Sequence, residues 1–223
     1  MHAKQIVHRD LKPQNLMLVE NDVLNPLRII DMGSALLTGQ PRNQRPVMDD
    51  FTEIYAPPEA PVPDEERADA YDIYTVAIIA LRSLMPALLA GEAGVQTLGK
   101  VTCVELPAYE YNFTKWCESR ANNRAAASQE MPLNSECAAL MQLPELYALL
   151  GDMLQVDAAQ RPDAQECLAR LGPEWSSRYQ RRASENEREE GERKRGRNGF
   201  MEKESERGGR WGGAEGRSRA CRD

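Results

Sequence analysis

Two short apolar runs, Leu16–Leu18 (LML) and Leu27–Ile30 (LRII), stand either side of the polar stretch ENDVLNP. Asn21-Asp22 and Asn25-Pro26 in that stretch carry turn chemistry, so the pattern predicts a small β-hairpin. A polar loop follows to about residue 53, with Gly39, Pro41 and Pro46 and little periodicity. The segment 55–66 holds four prolines and cannot be helical throughout. From Asp69 to about Leu89 the chain is strongly apolar and long enough for one helix buried on most sides. Residues 92–136 read as irregular, with a short helix near Phe113–Arg120. Leu146, Leu149, Leu150 and Met153 recur at helical spacing within 143–155. Asp157 to Leu171 predicts a last helix, with Ala164, Cys167, Leu168 and Leu171 on one face and Gly172-Pro173 as its stop. The expected fold is therefore mainly α with one small β-hairpin.

Composition changes this picture only near the end of the chain. Of 28 Lys/Arg and 35 Asp/Glu in 223 residues, 14 and 10 fall in 176–223, which leaves a body, 1–175, with a net charge of about −11. A body of that sign is not a nucleic-acid binder. The segment 176–223, rich in Gly and poor in aliphatic residues, cannot bury enough apolar surface to offset its ordering entropy, so a disordered tail is expected there. It is a solvated extension on composition alone; its RKRGR stretch, 193–197, also fits a nuclear-import signal or a contact for an anionic partner. Five scattered cysteines without a C-x-x-C pair argue for free thiols in a reducing intracellular compartment, against a disulfide framework or zinc site. The apolar run 75–91 contains Arg82 and Pro86 and is short for a membrane span; it reads as a buried helix.

The candidate chemistry lies in IVHRDLKPQN, 6–15, and DMG, 31–33. A hairpin returns the chain close to its start, so Asp10 before it and Asp31 after it can face one pocket, with Asn15 at the entry to the first strand. An Asn and an Asp offering oxygen ligands suit Mg²⁺. Lys12 adds a point charge for a phosphate. A carboxylate, a lysine and a hard-metal pair are what phosphoryl transfer requires.

HRDLKPQN resembles the catalytic loop of eukaryotic protein kinases, H-R-D-x-K-x-x-N. DMG is similar to that family's DFG and PPE, 57–59, to its APE. Asp72 in AYDIYTVA and Arg161 in DAAQRPDAQECL stand where the family has the aspartate of its central helix and the arginine near its last helix. The resemblance implies a kinase-like C-lobe, part of an α+β kinase fold, in 1–175, using ATP and Mg²⁺ on the Ser/Thr hydroxyls of protein substrates.

By the same resemblance Asp10 orients the acceptor hydroxyl and takes its proton, and Lys12 steadies the transferring phosphoryl group. Asn15 and Asp31 hold the metal, Met17 lies beneath the adenine, and Gly33 completes the DMG turn. Thr52, Tyr55 and Glu59 close the activation segment. Glu59 and Arg161 form a buried ion pair whose breakage strands a charge at roughly 3–5 kcal/mol. Asp72 braces the His8–Arg9 turn. Arg9 often receives a phosphate in the family; with few hydroxyls in the loop, Asp49 and Asp50 either take the phosphate's place or belong to a solvated acidic loop. A monomer is expected.

The family's Gly-rich loop, strand lysine and partner glutamate have no counterpart ahead of His8, so Met1 is expected to be an internal methionine of a longer protein or of a truncated gene model, with a genuine short isoform as the alternative. That leaves two readings: a kinase large lobe, or a non-catalytic docking module. FTEIYAPPE, AYDIYTVAIIALRSLMP and ELPAYEYNFTKWCES are also similar to the state-transition kinases of plant and algal thylakoids, which implies a chloroplast address and light-harvesting proteins as substrates.

Overall fold

The apolar runs Leu16–Leu18 and Leu27–Ile29 form two antiparallel strands, β2 and β3, with Leu16 opposite Ile29 and Leu18 opposite Leu27. A second two-stranded ladder, absent from the sequence pattern, pairs β1 (Ile6–Val7) with β4 (Leu36–Leu37). Two residues per strand are too few for a period-2 signal to emerge. This computed structural model describes residues 1–19, 27–38, 52–60, 67–89, 91–123 and 132–172. All belong to one unit, Met1–Trp175. The hairpin turn, most of the polar loop with Asp49 and Asp50, and the tail 176–223 lie outside the described residues.

The apolar stretch after Asp69 forms α1 (Asp69–Leu84) and then breaks. Pro86 forces the residue before it out of the helical region, and Met85 is extended at φ −111°, ψ 103°. A single turn, α2 (Pro86–Leu89), follows. The expected continuous helix to Leu89 is therefore two elements. In α1 the residues Ala70–Thr75, Ala77, Ile78 and Leu81 are all buried, which makes it the axis of the core.

The reading of 92–136 as irregular is overturned. Gly91–Lys100 is α3, Val101–Glu105 widens into a π turn, and α4 (Leu106–Ala108) closes the run. Then come α5 (Phe113–Asn122) and α6 (Pro132–Leu140). Gly94, Gly99, Thr97 and Thr102 mask the helical signal of α3 by propensity, yet Leu98 and Val101 are buried against α1 residues in the core. α7 (Pro144–Met153) falls where the leucine spacing predicts it.

The last predicted helix is shorter than expected. Ala158–Gln160 is one 3₁₀ turn, Arg161 is extended before Pro162, and α8 (Ala164–Arg170) starts afresh. Asp163 caps it through a reciprocal box with Glu166.

Tyr74, Ile78, Leu81, Leu88, Leu98, Phe113, Trp116, Leu149, Leu150 and Met153 meet in one core. The described cysteines, Cys103, Cys117, Cys137 and Cys167, are free thiols. A contact with Cys117 and burial push the Cys137 thiol up, and burial pushes Cys167 up to about 11, so both are poor nucleophiles. Among the described residues no helix is long and apolar enough to cross a membrane.

Candidate functional site

The HRD segment is a left-handed turn held from below. Arg9 sits at φ 67°, a region a non-glycine residue occupies only when its surroundings hold it. Asp72, on the first turn of α1, supplies the hold. Its two carboxylate oxygens accept from the backbone N–H groups of His8 at 2.8 Å and Arg9 at 2.9 Å. The brace expected of Asp72 is thus present, with His2 as a third partner at 2.9 Å that the sequence did not flag.

His8 is fully buried. Asp10 N–H faces its Nδ1 at 3.3 Å and the Ile30 carbonyl lies 3.1 Å from its Nε2, which assigns the ring proton to Nε2. Arg9 Nε donates to the Ser34 carbonyl at 2.6 Å and so ties the turn to the residue after DMG.

The polar groups downstream converge on Asp10. Lys12 Nζ lies 2.7 Å from its Oδ2. Asn15 Nδ2 donates to the Asp10 carbonyl at 2.8 Å and to Oδ2 at 3.1 Å. Thr52, from the far end of the polar loop, reaches Oδ1 at 3.4 Å and accepts from Lys12 at 3.3 Å. A small cavity beside Asp10 is lined by Leu11, Thr52, Tyr55, Tyr71 and Thr75.

Asp31 is exposed, at φ 62°, and its Oδ1 accepts from Gly33 N–H at 3.2 Å. A Cβ on Gly33 would come within 3.2 Å of that oxygen, which explains the glycine. The hairpin ties Asp31 to the catalytic-loop motif, because Ile30 N–H donates to the Asn15 carbonyl at 2.9 Å. Both Asn15 amide hydrogens face Asp10, which leaves Asn15 Oδ1 as an acceptor without a partner among the described residues. That amide oxygen and the exposed Asp31 carboxylate make a hard-oxygen pair of the type Mg²⁺ takes. Met17 is about half exposed on the hairpin, opposite Arg28, while Leu18, Leu27 and Ile29 are exposed on the hairpin's other face.

Glu59 and Arg161 meet through two bonds of 2.6 and 2.7 Å, as the sequence predicted. Arg161 is buried, and its remaining donors reach the carbonyls of Gln155, Val156 and Ala70. Its guanidinium also stacks over the Tyr74 ring at 5.0 Å. This pair pins the loop after Tyr55 to the turn before α8.

Two residues escaped the sequence reading. Tyr71, beside Asp72, is buried with its hydroxyl unpartnered; burial first, then the nearby carboxylates of Glu59 and Asp72, push that phenol above its ordinary value. Arg82 donates to the Tyr55 hydroxyl. A lone arginine inside an apolar helical run was the available signal.

The protein kinase domain model matches residues 1–171 of this chain. Cyclin-dependent kinase-like 2 of Mus musculus is 29% identical over 171 residues, 72% of this chain and 28% of that protein. A calcium/calmodulin-dependent serine/threonine-protein kinase of Malus domestica is 26% identical over 172 residues, 75% of this chain and 34% of that protein. Cyclin-dependent kinase G1 of Arabidopsis thaliana is 32% identical over 105 residues, 47% of this chain and 16% of that protein. The chain spans about a third or less of the length of these relatives.

Proposed function

Because this chain belongs to the protein kinase domain family, matched over residues 1–171, we propose that it supplies the large lobe of a Ser/Thr protein kinase. The lobe comprises 1–175, with 176–223 as its tail. The observation that carries the reading is the convergence of Lys12, Asn15 and Thr52 on the Asp10 carboxylate, with Asp31 joined to them by the Asn15–Ile30 bond.

In this reading the acceptor is a Ser or Thr hydroxyl of a protein. Asp10 accepts a hydrogen bond from it, aims its oxygen at the γ-phosphorus of ATP, and takes the proton as the new O–P bond forms and the bond to the ADP oxygen breaks. Lys12 stands beside Asp10 and offsets charge on the moving phosphoryl group. Asn15 Oδ1 and Asp31 are the residues that would hold Mg²⁺, which supplies charge neutralisation on phosphate oxygens. The exposed Met17 side chain on the hairpin suits the flat face of the adenine.

Thr52, Tyr55 and Glu59 form the end of the activation segment where the acceptor peptide docks. Arg9 couples that turn to the DMG segment, and His8, Gly33, Asp72 and Arg161 are structural. The lobe acts on protein as a monomer in a reducing intracellular compartment, a thylakoid address following from the narrower resemblance.

The experiment is Mg²⁺-dependent transfer from ATP to a mixed protein substrate by the full-length protein. Phosphate should appear on Ser and Thr, and Asp31→Ala should abolish it or raise the Mg²⁺ requirement at least about tenfold. Unchanged Mg²⁺ dependence in Asp31→Ala would overturn the assignment.

A further inference from the structure

We infer that Arg82 is a positioning residue for phosphate transfer: through the Tyr55 hydroxyl it fixes the turn that carries Thr52 to Asp10 and Lys12. The inference rests on the kinase reading above and extends it to a residue that touches no reacting group.

Thr52 joins the end of the activation segment to the polar cluster, with its Oγ1 3.4 Å from Asp10 Oδ1 and 3.3 Å from Lys12 Nζ. It stands at the N-cap of a single 3₁₀ turn, Glu53–Tyr55, and its side chain makes no capping bond to that turn. Its carbonyl accepts from the Tyr55 N–H at 2.9 Å. Where Tyr55 sits therefore decides where Thr52 sits. A lone 3₁₀ turn has poor hydrogen-bond geometry and little stiffness of its own. The Tyr55 ring is buried in the core, and its hydroxyl accepts from Arg82 Nη1 on α1. Apolar packing is non-directional, so this hydroxyl bond is what sets the depth and tilt of the ring.

α1 thereby holds both sides of the Asp10–Thr52 contact. Asp72, on its first turn, fixes the His8–Arg9 backbone ahead of Asp10. Arg82, ten residues and about 15 Å further along the axis, fixes Tyr55. Arg161, which holds Glu59, donates to the Ala70 carbonyl of the same helix at 3.0 Å. One helix with three hooks keeps the base and the docking turn in a common frame, and transfer depends on that kind of fixed geometry.

Stability does not account for the arginine. Its Nε is buried without an acceptor, and among the described residues its hydrogen bonding is confined to the Tyr55 hydroxyl. A cation partly withdrawn from water with one neutral partner costs folding free energy, and a packed apolar side chain of similar length costs less. The arginine is a poor choice for the fold and a good one for holding a hydroxyl.

The test measures transfer from ATP to a mixed protein substrate by the full-length protein, as wild type, Arg82→Met, Arg82→Lys, Tyr55→Phe and Thr52→Ala, with Tm for each. Arg82→Met and Tyr55→Phe should each lower kcat at least about tenfold while KM for ATP stays within about twofold. Tm of Arg82→Met should equal or exceed that of wild type. Arg82→Lys, which keeps a donor, should stay within about threefold of wild type. Adding Arg82→Met to Thr52→Ala should cost no more than Thr52→Ala alone, because both break the same contact. Unchanged kcat in Arg82→Met or Tyr55→Phe, a kcat loss in Arg82→Met that comes with a lowered Tm, or full additivity with Thr52→Ala would overturn the inference. If wild type transfers no phosphate to Ser or Thr, the kinase reading falls, and hydrogen exchange at the Tyr55 amide decides for the turn. Faster exchange in Arg82→Met then upholds the hold of Arg82 on it, and unchanged exchange overturns it.

Discussion

Asp72 sets the geometry on which the rest of the site depends. It fixes two consecutive backbone N–H groups, and one of them belongs to Arg9 at positive φ. Removing the carboxylate leaves two buried donors unpaired at roughly 1–3 kcal/mol each. Asp72→Ala should therefore lose about 3–5 kcal/mol in urea unfolding and expose the His8 and Arg9 amides to hydrogen exchange. A loss under 1 kcal/mol would show that the turn holds itself. At this scale the sequence was most informative. HRDLKPQN, DMG, Glu59, Asp72 and Arg161 were legible because they follow the order of the kinase motifs they resemble, and the contacts expected at Asp72 and at Glu59–Arg161 are present. Arg82 and Tyr71 were not legible as site residues. What marks them is one buried atom each without a partner, the Arg82 Nε and the Tyr71 hydroxyl, and only coordinates reveal that.

Elements were less legible wherever packing overrode propensity. α3 contains three glycines in ten residues and reads as loop, yet it is helical because one of them lets it approach α2. A Cβ on Gly94 would meet the Leu88 carbonyl oxygen at 2.7 Å and its carbon at 2.9 Å, both backbone atoms that cannot swing away. Gly94→Ala would gain up to about 1 kcal/mol of helix propensity, and overpacking costs about 1–3 kcal/mol. The expected result is a net loss with a lowered Tm, and a raised Tm would mean that α2 shifts freely. The two overextended helix predictions share one cause: Pro86 and Pro162 each push the preceding residue into extended backbone, a local veto that apolar spacing does not register. The hairpin shows the opposite limit. Its apolar residues were correctly assigned to strands, but Met17, Leu18, Leu27 and Ile29 stay exposed. Hydrophobicity alone does not say whether such residues serve a core or a ligand surface.

For the molecule as a whole, the net charge of the body near −11 raises the question of acid stability. Glu105 is the group with a resolved carboxylate shift among the described residues. Burial acts to raise it, but hydrogen bonds from Trp116 and Arg120 outweigh that and hold the carboxyl below its ordinary value. A carboxyl depressed in the folded state adds stability at pH above its unfolded value, near 4.3, and loses it as pH falls through the folded value. The Tm gap between wild type and Glu105→Gln should therefore be widest near pH 7 and close below about pH 4. A gap independent of pH would contradict the ion pair's contribution. The central claim is that Asp10 is the base of a phosphate-transfer site rather than one charge in a docking surface. The most direct measurement is transfer from ATP to Ser/Thr substrates by the full-length protein and its Asp10→Asn variant, with Tm recorded for both. Transfer should fall at least about a hundredfold in Asp10→Asn while Tm holds within a few degrees. Equal transfer by the two proteins would contradict the account.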